Sequence, residues 1–158
     1  MNRAEKMKIM SQAPILLREL MDQIPENIAK IRRKQGKWSI HEHVCHLAAS
    51  QRMIIARFQI FKDEVDPFFK PYLPGKNVPD SALIDMDLEA ALDEFETGRK
   101  ELLELLENYS EVDWGNYGQH PEYQKFTPDI FLRHVMMHDH FHMYRIEELW
   151  LTRKEFLI

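Results

Sequence analysis

The sequence predicts an all-α protein built as a four-helix bundle. Apolar residues recur at three- and four-residue spacing through four long stretches. Helix breakers are few, five Gly and eight Pro in 158 residues, and most fall between those stretches. No stretch alternates apolar and polar residues as a half-buried strand would.

The first stretch covers roughly residues 3 to 33, with Ile15, Leu16, Leu20, Ile24, Ile28 and Ile31 near helical spacing. Pro14 and Pro25 predict a break or kink at each, because proline removes a backbone donor and crowds the preceding turn. Gly36 ends the stretch. The second helix starts at Ser39, a cap whose S-x-x-E partner is Glu42, with Trp38 at the hydrophobic-staple position. It runs to about Lys62 through Val44, Leu47, Ile54, Ile55, Phe58 and Phe61. The Pro- and Gly-rich run DPFFKPYLPGKNVPD follows, inside an irregular loop around residues 64–87. Its Phe68, Phe69, Tyr72 and Leu73 are expected to pack on the bundle.

The third helix spans about Leu88 to Tyr109, with an apolar face of Leu88, Ala91, Leu92, Phe95, Leu102, Leu105 and Leu106 and an acidic outer face. A second irregular loop covers residues 110–127. The last helix is capped by Thr127, takes Pro128 at its first position and continues to about Arg153.

Composition bounds the function. With 44% hydrophobic and 30% charged residues, the chain reads as a single globular domain, 1–158. The net charge of −5 and the lack of a basic run argue against a nucleic-acid surface. No apolar stretch approaches the ~18 residues of a membrane span. One cysteine, Cys45, excludes an internal disulfide and fits a cytoplasmic location. Cys45 reads as a small buried apolar residue.

Histidine carries the chemistry. Seven of the eight fall into two clusters, His41, His43 and His46, then His134, His138, His140 and His142. Residues four apart share a helix face, so His134, His138 and His142 form one stripe. Three turns span about 12 Å, too far for all three rings to meet one ion. One pair is therefore expected to bind, with His46 on the second helix as the third ligand. Three imidazoles with an open position are the pattern of a catalytic metal site, whereas structural zinc sites are closed and thiolate-rich. Neutral imidazoles suit zinc, nickel, copper or iron. His140 lies about 200° around the helix from His138 and should face away. His41 and His43 read as surface residues. Glu42, one turn before His46, is a cap that could also approach the metal from behind its ligands or act as a base. Asp139 and Glu147 are candidates to orient imidazole N–H groups.

These residues resemble the DinB-like superfamily. GKWSIHEHVCHLAASQ (36–51) is similar to its Gly-x-Trp-Ser/Thr entry and first metal histidine. RFQIFKDEVDPFFKPY (57–72), HPE (120–122) and HDHFHMYRI (138–146) resemble motifs of its YfiT-type branch. The resemblance implies a four-helix bundle holding one divalent ion, zinc or nickel, on His46, His138 and His142, with His134 as the alternate. Two positions depart: Ala48-Ala49-Ser50-Gln51 stands where the branch often has A-D-S-H, and Arg145 replaces a later histidine. The resemblance further implies a metal-dependent hydrolase acting on a small molecule. A thiol transferase using bacillithiol or a similar low-molecular-weight thiol is the alternative, and a homodimer is expected. A non-catalytic, metal-stabilised helical binding module is the third reading.

Overall fold

The computed structural model describes residues 1–71 and 80–157. Four long helices form the bundle: α1 (Arg3–Gln23), α3 (Ile40–Asp63), α5 (Leu88–Glu107) and α7 (Pro128–Leu151). Short helices α2 (Glu26–Ala29), α4 (Asp80–Asp85) and α6 (Glu111–Trp114) and a hairpin of β1 (Gly118–His120) and β2 (Tyr123–Phe126) lie in the connections. The four long helices start where capping chemistry directs. Asn2 and Ser39 close reciprocal boxes with Glu5 and Glu42, Asp87 accepts from the Ala90 N–H, and Thr127 accepts from the Ile130 N–H ahead of Pro128. Each such cap contributes about 1 kcal/mol.

α3 packs on both α5 and α7, and α1 covers the same two helices from the other side. Gly98 sets the closeness of the α3–α5 contact: a Cβ there would sit 2.7 Å from the Gln51 Cβ. Two apolar clusters fill the bundle. One gathers Leu17, Val44, Leu47, Phe95 and Ile146, the other Met10, Phe58, Phe61, Leu102 and Leu132.

Three expectations need correction. Pro14 does not break the first helix, which runs unbroken through it, whereas the chain does break at Pro25. The proline withholds the N–H that Met10 O would accept, and the buried Arg99 Nη1 donates to that carbonyl instead, at 3.2 Å. The two loops are also less irregular than expected. Leu83, fully buried, anchors α4 within the first, and the second contains α6 and the hairpin. The hairpin pairs Gly118 with Phe126 and His120 with Tyr123, and Phe69 N–H donates to Gln119 O at 2.8 Å. Of the four residues expected to pack from the 66–80 connection, Phe69 is buried and Phe68 is exposed. Tyr72 and Leu73 lie outside the described residues. Among the described residues no helix is long and apolar enough to cross a membrane.

Cys45 is fully buried, and burial pushes its thiol up to about 11. The thiolate is the reactive form. Iodoacetamide at pH 8 is therefore expected to label the native protein at least about a hundredfold more slowly than the urea-unfolded chain. Comparable rates, read by mass spectrometry, would contradict this packing.

Candidate metal centre

α3 and α7 run side by side, and their facing sides bring three imidazoles to one point. One ring nitrogen from each of His46, His138 and His142 lies within 4.8 Å of the other two. His46 Nε2 and His138 Nε2 are 3.1 Å apart. His46 and His142 are buried, and Trp38 covers them with ring-centre distances of 4.8 and 6.0 Å.

Burial sets their protonation. It pushes His46 down to about 3, helped by the charge that His138 and His43 would carry if protonated. Burial lowers His142 as well, followed by the repulsion of His138, His46 and His43. Neutral rings present lone pairs, which a cation can accept. A tetrahedral zinc with bonds of about 2.0–2.1 Å spaces its ligand nitrogens by about 3.3 Å, close to the His46–His138 separation. The donor set, three imidazole nitrogens and no thiolate, thus fits one divalent ion.

Behind His138 sits a buried acid. Asp139 Oδ1 lies 4.0 Å from His138 Nδ1, an ion-pair distance longer than a hydrogen bond, and neither buried atom has a hydrogen-bond partner among the described residues. Asp139 is ionised: burial alone would raise its carboxyl, but the Arg99 guanidinium, then the His138 ring, hold it below the usual carboxylate range. Arg99 Nη1 donates to Asp139 Oδ2 at 2.6 Å, and both side chains are 1% exposed. A carboxylate against the distal nitrogen of a ligand imidazole fixes its tautomer and orientation.

The other histidines divide. His41 and His43, expected at the surface, are both buried. His41 lies against the backbone of Leu83 and Met86 on the α4 side, with its Nε2 buried and without a hydrogen-bond partner among the described residues. His43 is the fourth helical residue after the cap, where a staple partner sits, and Trp38 packs edge-on against it at 5.4 Å. Its Nδ1 shares a hydrogen bond with His142 Nδ1 at 2.8 Å, so it supports that ring through Nδ1. His140 is exposed, as expected. His134 does not join the three converging rings; its ring stacks 6.5 Å from His138. Glu42 is not brought to the site either. Its buried carboxylate accepts from the Ser39 N–H at 2.8 Å and, bidentately, from Nε and Nη2 of Arg32.

Beside the cluster opens a cavity of about 220 Å³, walled by His46 and His138 together with Arg57, His120, Tyr123 and His134. Arg57, His120 and Tyr123 carry no spacing signal as a set. They come from α3 and the two hairpin strands, and only the fold joins them.

Two outcomes follow from these contacts. Asp139→Leu or Arg99→Met each strands a buried charge, which costs about 3–5 kcal/mol. The double variant Arg99→Met/Asp139→Leu should cost clearly less than the sum of the single variants, read as urea midpoints. Additive losses would show that the pair is not coupled. Acid should also destabilise the metal-free protein. Unfolded histidine titrates near 6.5, whereas burial and then Arg145 hold His43 at about 4. The native form therefore binds fewer protons, and its stability is complete above pH 6.5 and falls below it. Each pH unit lost between 6.5 and the folded value costs about 1.4 kcal/mol per such histidine. A urea midpoint that does not move between pH 7 and 5 would contradict the burial.

Comparison with known proteins supplies the relationship. No curated protein matches the chain. Among solved structures, YfiT from Bacillus subtilis, described as a probable metal-dependent hydrolase with an unusual four-helix bundle topology, superposes with a TM-score of 0.78. The two are 19% identical, with 94% of this chain and 87% of that chain covered. The family model of the DinB superfamily matches residues 10–146, and with most of its length so matched the chain belongs to the DinB superfamily.

Proposed function

We propose that the protein is a metal-dependent hydrolase holding one divalent ion, zinc or nickel, on His46, His138 and His142. The observation that carries this reading is the convergence of three imidazoles, two of them buried, beside a cavity that His46 and His138 wall. The fold it shares with YfiT, itself described as a probable metal-dependent hydrolase, supports it. An ion on three imidazoles supplies Lewis acidity and brings the pKa of a water toward neutral.

The remaining work falls to the chain. Asp139 orients His138, and Arg99 keeps Asp139 ionised through burial. His43 fixes the Nδ1 side of His142, so the other nitrogen of that ring is the one left for a ligand. Across the cavity, His120 Nδ1 accepts the Glu122 N–H at 3.2 Å. In a neutral imidazole the proton then sits on Nε2, which makes His120 a donor there. Burial first, then neighbouring positive charge, lowers both His120 and His134, so each is neutral at pH 7.

Protein purified without chelator is expected to carry about one divalent ion per chain by elemental analysis. His46→Ala should lose it while keeping its helical spectrum. An ester and amide screen should show activity that chelation abolishes and metal restores. Turnover that appears only when a low-molecular-weight thiol is added would replace hydrolysis by thiol transfer. A protein that melts on chelation and turns over nothing would make the ion structural. Absence of bound metal under all loading conditions would end the proposal.

A further inference from the structure

Arg57 is the feature of the cavity that the hydrolytic reading leaves unused. It projects from α3, half-buried, into the same cavity that His46 and His138 wall. Its guanidinium lies over the Phe131 ring at 5.7 Å, and Nη2 donates to Lys70 O at 2.7 Å. No carboxylate of the described residues comes within 4.0 Å of it. Arg52, five residues earlier on the same helix, binds both Glu94 and Glu101.

A guanidinium offers five N–H donors, and one carbonyl satisfies only one of them. Arginine remains charged at every ordinary pH. A partly desolvated cation without a carboxylate is an unfavourable arrangement that an incoming anion relieves, and the planar fork suits oxyanions. The other charges on the wall do not close on it. His120 and His134 are neutral at pH 7, and Glu122, exposed on the same wall, attracts the guanidinium from a distance without forming an ion pair. The rings of Phe131, His134 and His138 stack in sequence, at 6.3 and 6.5 Å, between the guanidinium and the converging imidazoles. A ligand lying along that row would reach both ends.

We infer that Arg57 anchors an anionic oxygen group of the substrate, a carboxylate or a phosphate ester, so that the substrate is a small acid whose reacting bond points toward His46 and His138. The second half of this statement rests on the hydrolytic reading; the anchor does not. The cavity volume of about 220 Å³ is below the ~300–1,000 Å³ of pockets for drug-sized ligands, which keeps the acid small.

Ligand-observed NMR titration tests it, with benzoate, phenyl phosphate and neutral benzamide as probes. The proteins are the as-purified full chain, Arg57→Gln and Arg57→Lys. Wild type is expected to bind benzoate or phenyl phosphate at least about tenfold more tightly than benzamide, a preference that Arg57→Gln erases without changing benzamide. The tighter of the two anions identifies the group. Any effect of bound metal on the anions is common to wild type and variant and cancels in that comparison. If Arg57→Gln does not fold, Arg57→Lys is decisive: it keeps the charge but not the fork, and should weaken the preferred anion several-fold with benzamide unchanged. Benzamide bound as tightly as the anions, or anion affinity unmoved by these substitutions, overturns the anchor. Elemental analysis of the same samples separates the two claims. Anion preference in a protein that never binds metal keeps the anchor and removes the hydrolase; metal without anion preference does the opposite.

Discussion

A single buried guanidinium ties the bundle together. Arg99, on α5 and 1% exposed, donates to Met10 O on α1 and to Asp139 on α7, and reaches Gln51 on α3 at 3.5 Å. All four long helices therefore meet at one side chain. The sequence around it shows the same layer on each helix. Gln51 lies between the buried Ala48 and Ile54, Arg99 between Phe95 and Leu102, and Asp139 between Val135 and Met143, and in each pair the two residues belong to different apolar clusters. The bundle is two hydrophobic cores separated by a polar floor. A guanidinium buried so deeply is tolerated only because carboxylate, amide and carbonyl surround it.

Such a layer is poor value for stability. Desolvating Arg99 and Asp139 offsets most of what their attraction contributes, and an apolar pair of similar volume would serve a core as well or better. What the ion pair supplies is a fixed anion directly beneath His138. Asp139 can face that imidazole only because Arg99 keeps it charged in an apolar surrounding, and Arg99 is held in turn by the carbonyl that Pro14 leaves without its helical donor. The proline that ought to weaken α1 thus becomes part of the support for a ligand on α7. Gly98, by letting α3 and α5 approach, keeps Gln51 in reach of the same guanidinium.

How much of this was legible in the sequence depends on range. The starts of the second and last long helices were readable because their determinants are local: Ser39 with Glu42, and Thr127 with Pro128, act within one turn. The three converging histidines were nearly as readable, since i, i+4 spacing fixes His138 and His142 on one face, and only the pairing with His46 required tertiary structure or the family resemblance. What failed were inferences whose answer lies far along the chain. Pro14 reads as a breaker until Arg99, eighty-five positions later, is placed beside Met10. His43 reads as a surface residue until Trp38 and His142 close over it. The strands at 118–126 are too short to show alternation, and they form because Phe69 and Gln119 pair across a distant segment. Asp139 was visible as a neighbour of a ligand, but its charge state was not, because that depends on a partner forty residues away.

The histidine stripe on α7 also explains why three rings at equal spacing have unequal parts. His142, at the inner end, is enclosed by Trp38 and spends one nitrogen on His43. His138, in the middle, has Asp139 behind it and the cavity before it. His134, one turn further, has neither an imidazole of α3 nor a buried carboxylate against it, and its ring stacks on Phe131 at the cavity wall. Solvation therefore grades along one helix face, from a ring committed to the protein, through a shared one, to a ring that meets whatever enters. The same four-residue period that brings two rings of the stripe into the cluster leaves the third on the cavity wall, because α3 supplies only one imidazole at the matching height. Distance along the axis, about 6 Å per turn of four residues, is what separates a ring inside the cluster from one beyond it.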